Sequence, residues 1–391
     1  MTTRRRKTRW WHCSFWWLIL VAGVSSHALA QKPAVGTGMR IAPADTTKMQ
    51  LPALVQWKPG AAYTRSTRLW QGCPSIEKTG KRLWSAWFSG GPKEPAKGNY
   101  GIIAYSDDDG KTWEDPAVVI THPDTAVRVM DTQLWKDPHG KLWIFWTQNV
   151  GTDSFDGLWG TWAIRLDQPI TTQPTWTAPR RLCDGLMRNK PIVLTTGEWL
   201  LPAYNWTNKQ SGVYVSTDQG NQWQLRGGPY NESAYFYEHM LVELNDGRVW
   251  LLQRNIKESH SSDRGKSWNP LTQVSTLTSA FSRLYIGRLK SGHLLLAYND
   301  DPDRKSRKNL TVRLSLDDGR SWPHALLIDE RPDVSYPDVV QADDGLVYLA
   351  YDRSRTGEKE ILLATFTEAD IQAGSFSSKR SRQKSLISKV P

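Results

Sequence analysis

The chain has 391 residues, with 50 Lys and Arg against 39 Asp and Glu, and a formal net charge of +11. Tryptophan is abundant at 21 residues while helix-period apolar stripes are scarce, so a helical bundle is a poor fit and β-structure a good one. The charge sits at the two ends, in Arg4, Arg5, Arg6, Lys7 and Arg9 and in Lys379, Arg380, Arg382, Lys384 and Lys389. The body between them is close to neutral, which gives no basis for a nucleic-acid partner.

In chain order, residues 1–30 read as a signal peptide. Basic residues run to Arg9, an apolar core from Phe15 to Val24 follows, and Ala28-Leu29-Ala30 offers small residues for cleavage. The mature protein is expected to start near Gln31 and to be periplasmic or secreted. The apolar core is too short to span a bilayer and no other stretch approaches the roughly 20 apolar residues a span needs, so no membrane span is expected. Residues 31–56 form a lead-in without a clear period. Residues 57–374 repeat one unit six times: a β-rich run, a polar turn with glycine, and a second apolar run. The turn glycines are Gly80, Gly140, Gly197, Gly247, Gly292 and Gly345. Their spacing suits one four-stranded antiparallel sheet per repeat, which predicts an all-β, six-bladed β-propeller. Residues 375–391 read as a basic disordered tail. Export would permit a disulfide between Cys73 and Cys183, but two buried free thiols are the expectation.

A second repeat lies inside the first. Ser106, Asp108, Gly110, Thr112 and Trp113 fit S-x-D-x-G-x-[ST]-W. Ser261, Asp263, Gly265, Ser267 and Trp268 repeat it, as do Ser315, Asp317, Gly319, Ser321 and Trp322. A weaker copy has Ser216, Asp218, Gly220 and Trp223. Each reads as a tight hairpin turn, with a carboxylate to accept backbone N–H groups, a glycine free to take φ > 0 and an aromatic anchor. One acid repeated in four blades cannot converge on one site, so these turns are structural. They resemble the Asp-box of the sialidase (neuraminidase) superfamily, and the stretch from Trp70 to about Ile371 is similar to the bacterial BNR-repeat branch of it.

That resemblance implies where the chemistry lies. A family Glu opens the inner strand of blade four and an Arg follows the next strand; Glu238 and Arg254 match them. A further family Arg precedes a catalytic Tyr across the Asp-box strand; Arg307 and Tyr336 match those, with Arg304 as rival for the Arg. A sialic acid carries a carboxylate on its anomeric carbon, which would repel a carboxylate nucleophile. A neutral Tyr hydroxyl avoids that repulsion but has an unperturbed pKa near 10, so it needs a base beside it. Glu238 is that base by resemblance. Arg254 and Arg307 would grip the substrate carboxylate as bidentate forks.

The family's first Arg has no match, because Gly72 stands at its place. Two forks would then remain, affinity for sialic acid should be poor, and the vacated space should admit a differently substituted sugar. Arg68, four residues earlier, is the candidate replacement. The general acid is Glu94, in the loop after the first hairpin, or Asp131, opening blade two. Asn189 and Lys190, opening blade three, are expected to face the site, and Trp70, Trp159 and Trp206 are candidate sugar platforms. The implied protein is an exported exo-glycosidase acting on a terminal acidic sugar of a glycan, a monomer without cofactor or metal. A non-catalytic glycan-binding propeller, or a polysaccharide lyase on the same scaffold, are the alternatives.

Overall fold

Short runs of alternating apolar residues separated by glycine turns pair with their neighbours in sequence, and the pairing repeats six times. The structure, a computed structural model, describes residues 47–150, 159–171, 174–233 and 235–391. The signal-peptide reading and most of the lead-in lie outside the described residues. Blade one comprises β2 (Gln71–Thr79), β3 (Arg82–Ser89), β4 (Tyr100–Ser106) and β5 (Glu114–Thr121), with β1 (Leu54–Trp57) added outside β5. Blade two comprises β6 (Val127–Lys136), β7 (Leu142–Val150), β8 (Trp159–Leu166) and β9 (Arg180–Asp184). Blade three is β10 (Ile192–Val193), β11 (Trp199–Asn205), β12 (Gln210–Ser216) and β13 (Gln224–Gly227). Blade four is β14 (His239–Glu243), β15 (Val249–Gln253), β16 (Lys257–Ser261) and β17 (Thr272–Gln273). Blade five is β18 (Tyr285–Arg288), β19 (Leu294–Asn299), β20 (Leu310–Ser315) and β21 (His324–Asp329). Blade six is β22 (Val334–Gln341), β23 (Val347–Arg353), β24 (Glu360–Phe366) and β25 (Arg382–Lys389). The fold is a six-bladed β-propeller.

Two expectations at the chain ends need correction. The basic tail is not loose: after the short helix α1 (Glu368–Ala373), residues 382–389 form the outermost strand of blade six, antiparallel to β24. Ile387 is buried and Leu386 exposed, as an outer strand with one packed face requires. The lead-in also ends in a strand, since β1 pairs with β5 from Leu54 to Trp57.

Hydrophobic cores fill each joint between neighbouring blades. Trp84 and Ile103 meet Leu134 and Trp162 between blades one and two, and Leu295 and Val312 meet Leu349 and Leu362 between five and six. Ile76 and Trp87 meet Tyr348 and Leu363 where blade one meets blade six, so the ring is closed by the same apolar contacts that join its other blades.

The repeated hairpin turns behave as the motif demands. Asp108 Oδ1 accepts the N–H groups of Lys111 and Thr112 at 3.0 and 2.9 Å, and Oδ2 accepts the Thr112 hydroxyl at 2.7 Å. Asp263 and Asp317 repeat the bonds to the residue four positions on. All four turns join the third and fourth strands of their blades in chain order, counted from the inner strand.

Inner strands carry the features that position the site. β2, β6 and β22 each contain a bulge, and at the bulge Cys73, Asp131 and Tyr336 take φ of 60°, 54° and 58°. A non-glycine residue in this region is uncommon and re-aims its side chain out of the strand's alternation.

Candidate active site

The bulge of β22 carries Tyr336, and Glu238 is the residue immediately before β14; the Tyr336 hydroxyl donates to Glu238 Oε1 at 2.6 Å. Arg254 follows β15, whose pairing with β14 is extended by the Arg254 N–H donating to the Glu238 carbonyl at 2.9 Å. The two side chains are therefore cross-strand neighbours, with Arg254 Nη1 3.3 Å from Glu238 Oε2 and 3.5 Å from the Tyr336 hydroxyl. Arg307 comes from the loop before β20, with its guanidinium carbon 5.4 Å from the centroid of the Tyr336 ring. Arg254 and Arg307 share the carbonyl of Phe281 as an acceptor, at 3.0 and 3.4 Å. The rival Arg304 is exposed and bonds Asn255 instead.

Sequence reasoning missed two guanidiniums. Arg355, in the turn after β23, lies 4.1 Å from the centroid of the Tyr336 ring. Its Nε donates to Asp352 Oδ2 at 2.8 Å and its Nη1 to Glu94 Oε2 at 3.1 Å. A Cβ added to Gly72 would come within 2.9 Å of Arg355 Cδ and Nε and 3.1 Å of the Trp70 ring. The space beside Gly72 is thus not vacant: an Arg from blade six fills it, and the expected room for a larger sugar is absent. Arg188, in the segment before β10, lies closer still. Its Nη1 donates to Glu238 Oε1 at 2.8 Å and to the Tyr336 hydroxyl at 3.0 Å, and its Nε is 3.0 Å from Asp131 Oδ1. No local pattern marks either residue, since both sit in connecting segments and matter only through the closed ring.

The other expected residues divide. Glu94 is half-buried beside Arg355, with the Cys73 thiol 3.7 Å away. Asp131 is fully buried. Arg68 does not reach in, because Asp115 Oδ1 holds it at 2.6 Å and the Tyr63 carbonyl and Ser388 hydroxyl take its remaining donors. Lys190 also faces elsewhere: its ammonium sits among the Ile76 and Val339 carbonyls, Glu77 and Asp338 on the inner strands. Asn189 is buried and donates to the His239 carbonyl at 2.9 Å. Trp70 is buried against Phe88, with ring centroids 4.9 Å apart, and offers no free face. Trp159 is buried too, whereas Trp206 is half-buried against Phe236 at 4.5 Å. Phe236, Phe281 and the exposed Tyr235 line the same rim, over Arg188 and Arg254.

One guanidinium supports the whole cluster from below. Arg283 Nη2 donates to the carbonyls of Pro74, Tyr336 and Pro337, each at 3.0 Å, and its Nη1 bonds the Arg188 carbonyl at 2.5 Å and Gln133 Oε1 at 3.2 Å. It ties strands or strand openings of blades one, two, three and six together at the axis.

Charge and burial set the protonation states. Burial pushes the Glu238 carboxyl up, but Arg254 and Arg188 outweigh it and hold the group below its ordinary value. Burial and then Glu238 push the Tyr336 phenol up, with Arg254 and Arg188 opposing. The pair is therefore a carboxylate accepting from a neutral phenol, which is the arrangement a phenol nucleophile with a general base requires. Burial pushes Asp131 up to about 7, with Arg188 opposing.

Residues 81–349 match the family model described as the BNR repeat-like domain. A sialidase of Micromonospora viridifaciens is 29% identical over 227 residues, covering 52% of this chain and 33% of the relative. A sialidase of Bacteroides fragilis is 21% identical over 300 residues, covering 64% of this chain and 54% of the relative. The chain thus spans about a third and about half of the lengths of these curated relatives. Among solved structures, a Hadza microbial sialidase superposes with a TM-score of 0.65 at 19% identity, over 81% of this chain and 69% of its own, and shares the propeller fold. With its hairpin turns and six blades, the chain belongs to the BNR-repeat proteins of the sialidase superfamily.

Proposed function

We propose that the protein is an exported, retaining exo-glycosidase that hydrolyses a terminal acidic sugar, sialic acid or a close relative, from glycans. The observation that carries this reading is the 2.6 Å bond from Tyr336 to a buried, ionised Glu238 with Arg254, Arg307 and Arg355 around the same ring. Three guanidiniums suit a carboxylate on the anomeric carbon. The Arg355 guanidinium beside Gly72 and the Tyr336 ring supports this reading over the non-catalytic glycan-binding alternative.

In the first step Tyr336 Oη bonds to the anomeric carbon as its proton passes to Glu238. The bond to the leaving oxygen breaks with its electron pair, and that oxygen takes a proton from Glu94. In the second, water attacks the anomeric carbon and gives a proton to the Glu94 carboxylate; the bond to Tyr336 breaks and the phenolate recovers its proton from Glu238. Glu94 is assigned as acid over Asp131 because it is the one partly open to a bound glycan, with 15% of its side chain exposed against 0% for Asp131.

The test is hydrolysis of an aryl α-sialoside, followed by NMR for the anomer first released, with trapping by a 2,3-difluoro sugar and peptide mass mapping. Retention and a label on Tyr336 are expected, with both lost in Tyr336→Phe. Turnover by Tyr336→Phe at the rate of the unsubstituted protein would refute the assignment.

A further inference from the structure

The cations that grip the substrate carboxylate in the reading above must divide their charge once it arrives. Arg188 is differently situated. Its Nε lies 3.0 Å from buried Asp131, its carbonyl is bound by Arg283, and its guanidinium lies under the Phe236 ring at 5.5 Å. These three contacts hold the side chain in place. Its Nη1 touches both partners of the reacting pair, Glu238 Oε1 at 2.8 Å and Tyr336 Oη at 3.0 Å.

We propose that Arg188 is a further catalytic residue, holding the negative charge as it passes from Glu238 to Tyr336 during nucleophilic attack. The inference rests on the glycosidase reading. Before the proton moves, the charge is on the carboxylate; as it moves, and before the bond to the anomeric carbon is complete, part of that charge is on the phenol oxygen, 2.6 Å away. The bond from Arg188 to Oη has a neutral phenol as acceptor before the proton moves and a partly anionic oxygen in the transition state, where a charge-assisted bond is stronger, so the cation follows the charge as it shifts. The transfer therefore proceeds without pulling charge away from its counterion. Arg254 has a similar geometry at 3.3 and 3.5 Å, but it is more distant and committed to the substrate. The arrangement needs no movement of Arg188, which is the condition for preorganised electrostatic stabilisation.

Because Arg188→Met alone strands Asp131, the test uses Arg188→Met/Asp131→Asn, which removes the buried pair together, alongside Arg188→Lys. Circular dichroism and thermal melting establish that each is folded. The probes are two aryl α-sialosides whose phenols differ in acidity, with Glu94→Gln as a comparison. Losing one charged hydrogen bond to the reacting atoms should lower kcat by roughly 10- to 100-fold on both probes, with KM within about threefold. Glu94→Gln should be rescued by the more acidic phenol, and the Arg188 variants should not. A folded double variant with kcat within about twofold overturns the proposal. So does a rise in KM at unchanged kcat, which would make Arg188 a substrate-binding group, or rescue by the acidic phenol, which would tie it to the leaving group. Failure of the unsubstituted protein to turn over either probe defeats the glycosidase reading and this inference together. Turnover that is lost in Tyr336→Phe but kept in both Arg188 variants defeats this inference alone.

Discussion

Arg355→Ala should weaken binding of the dehydrated sialic acid analogue without unfolding the protein. The guanidinium sits 4.1 Å over the Tyr336 ring and is half-buried, with Asp352 and Glu94 as its charged partners. Removing one charged hydrogen-bonding partner of a carboxylate costs about 1.5–3 kcal/mol, which is roughly ten- to more than a hundredfold in affinity. The assay is isothermal titration calorimetry with the analogue, on the unsubstituted protein, Arg355→Ala, Gly72→Arg and the double variant Gly72→Arg/Arg355→Ala. Gly72→Arg alone should also bind worse, because its Cβ would lie 2.9 Å from Arg355 Cδ and bring a second cation beside the first. The double variant moves the cation from blade six back to blade one and should recover part of the loss. A dissociation constant for Arg355→Ala within about twofold of the unsubstituted protein would refute the reasoning, and so would tighter binding by Gly72→Arg alone.

Three further outcomes are expected. Asp108→Ala breaks the bonds to Lys111 and Thr112 and should cost about 1–2 kcal/mol, read as a lower melting temperature, while analogue affinity of the folded protein stays unchanged. Asp131, pushed up to about 7 by burial, binds a proton in the folded state that the unfolded state releases near its ordinary value, so its contribution to stability is full in acid and lost as pH rises toward 7. Asp131→Asn should flatten the fall in urea midpoint between about pH 4 and about pH 7; an unchanged slope would count against this protonation state. Deleting residues 381–391 removes β25, bares the edge of β24 and leaves Arg68 without Ser388, so light scattering should detect aggregation; a monomer with an unchanged melting temperature would contradict that role for the strand.

How much of this was legible depended on whether the signal was local. The hairpin turns were legible because Asp108 and its counterparts are satisfied by their own turn, a few residues along the chain. Glu238 and Arg254 were legible because a short hairpin sets them side by side. Arg188 and Arg355 were not, since each lies in a connecting segment and becomes relevant only when the ring brings blades three and six to the axis. The bulges at Cys73, Asp131 and Tyr336 depart from the two-residue alternation, so periodicity alone could not aim those side chains. β25 escaped detection because an outer strand needs few apolar residues: Ile387 packs between blades six and one while Arg382, Lys384 and Lys389 stay at least partly exposed. Arg68 misled because a buried cation near the site by sequence is in fact neutralised by Asp115.

The single guanidinium of Arg283, shared among the carbonyls beneath the site, divides the protein into a part that tolerates redesign and a part that does not. Outside the Asp turns themselves, the outer hairpins should accept changes of length and sequence more readily, since Arg283 bonds none of them. A one-residue change in the inner segments around Pro74, Arg188 or Pro337 would instead shift an acceptor and, through the shared donor, the backbone of Tyr336 as well. Variation among chains with this axis should therefore accumulate at the rim, and engineered insertions should be accepted there and rejected at the hub.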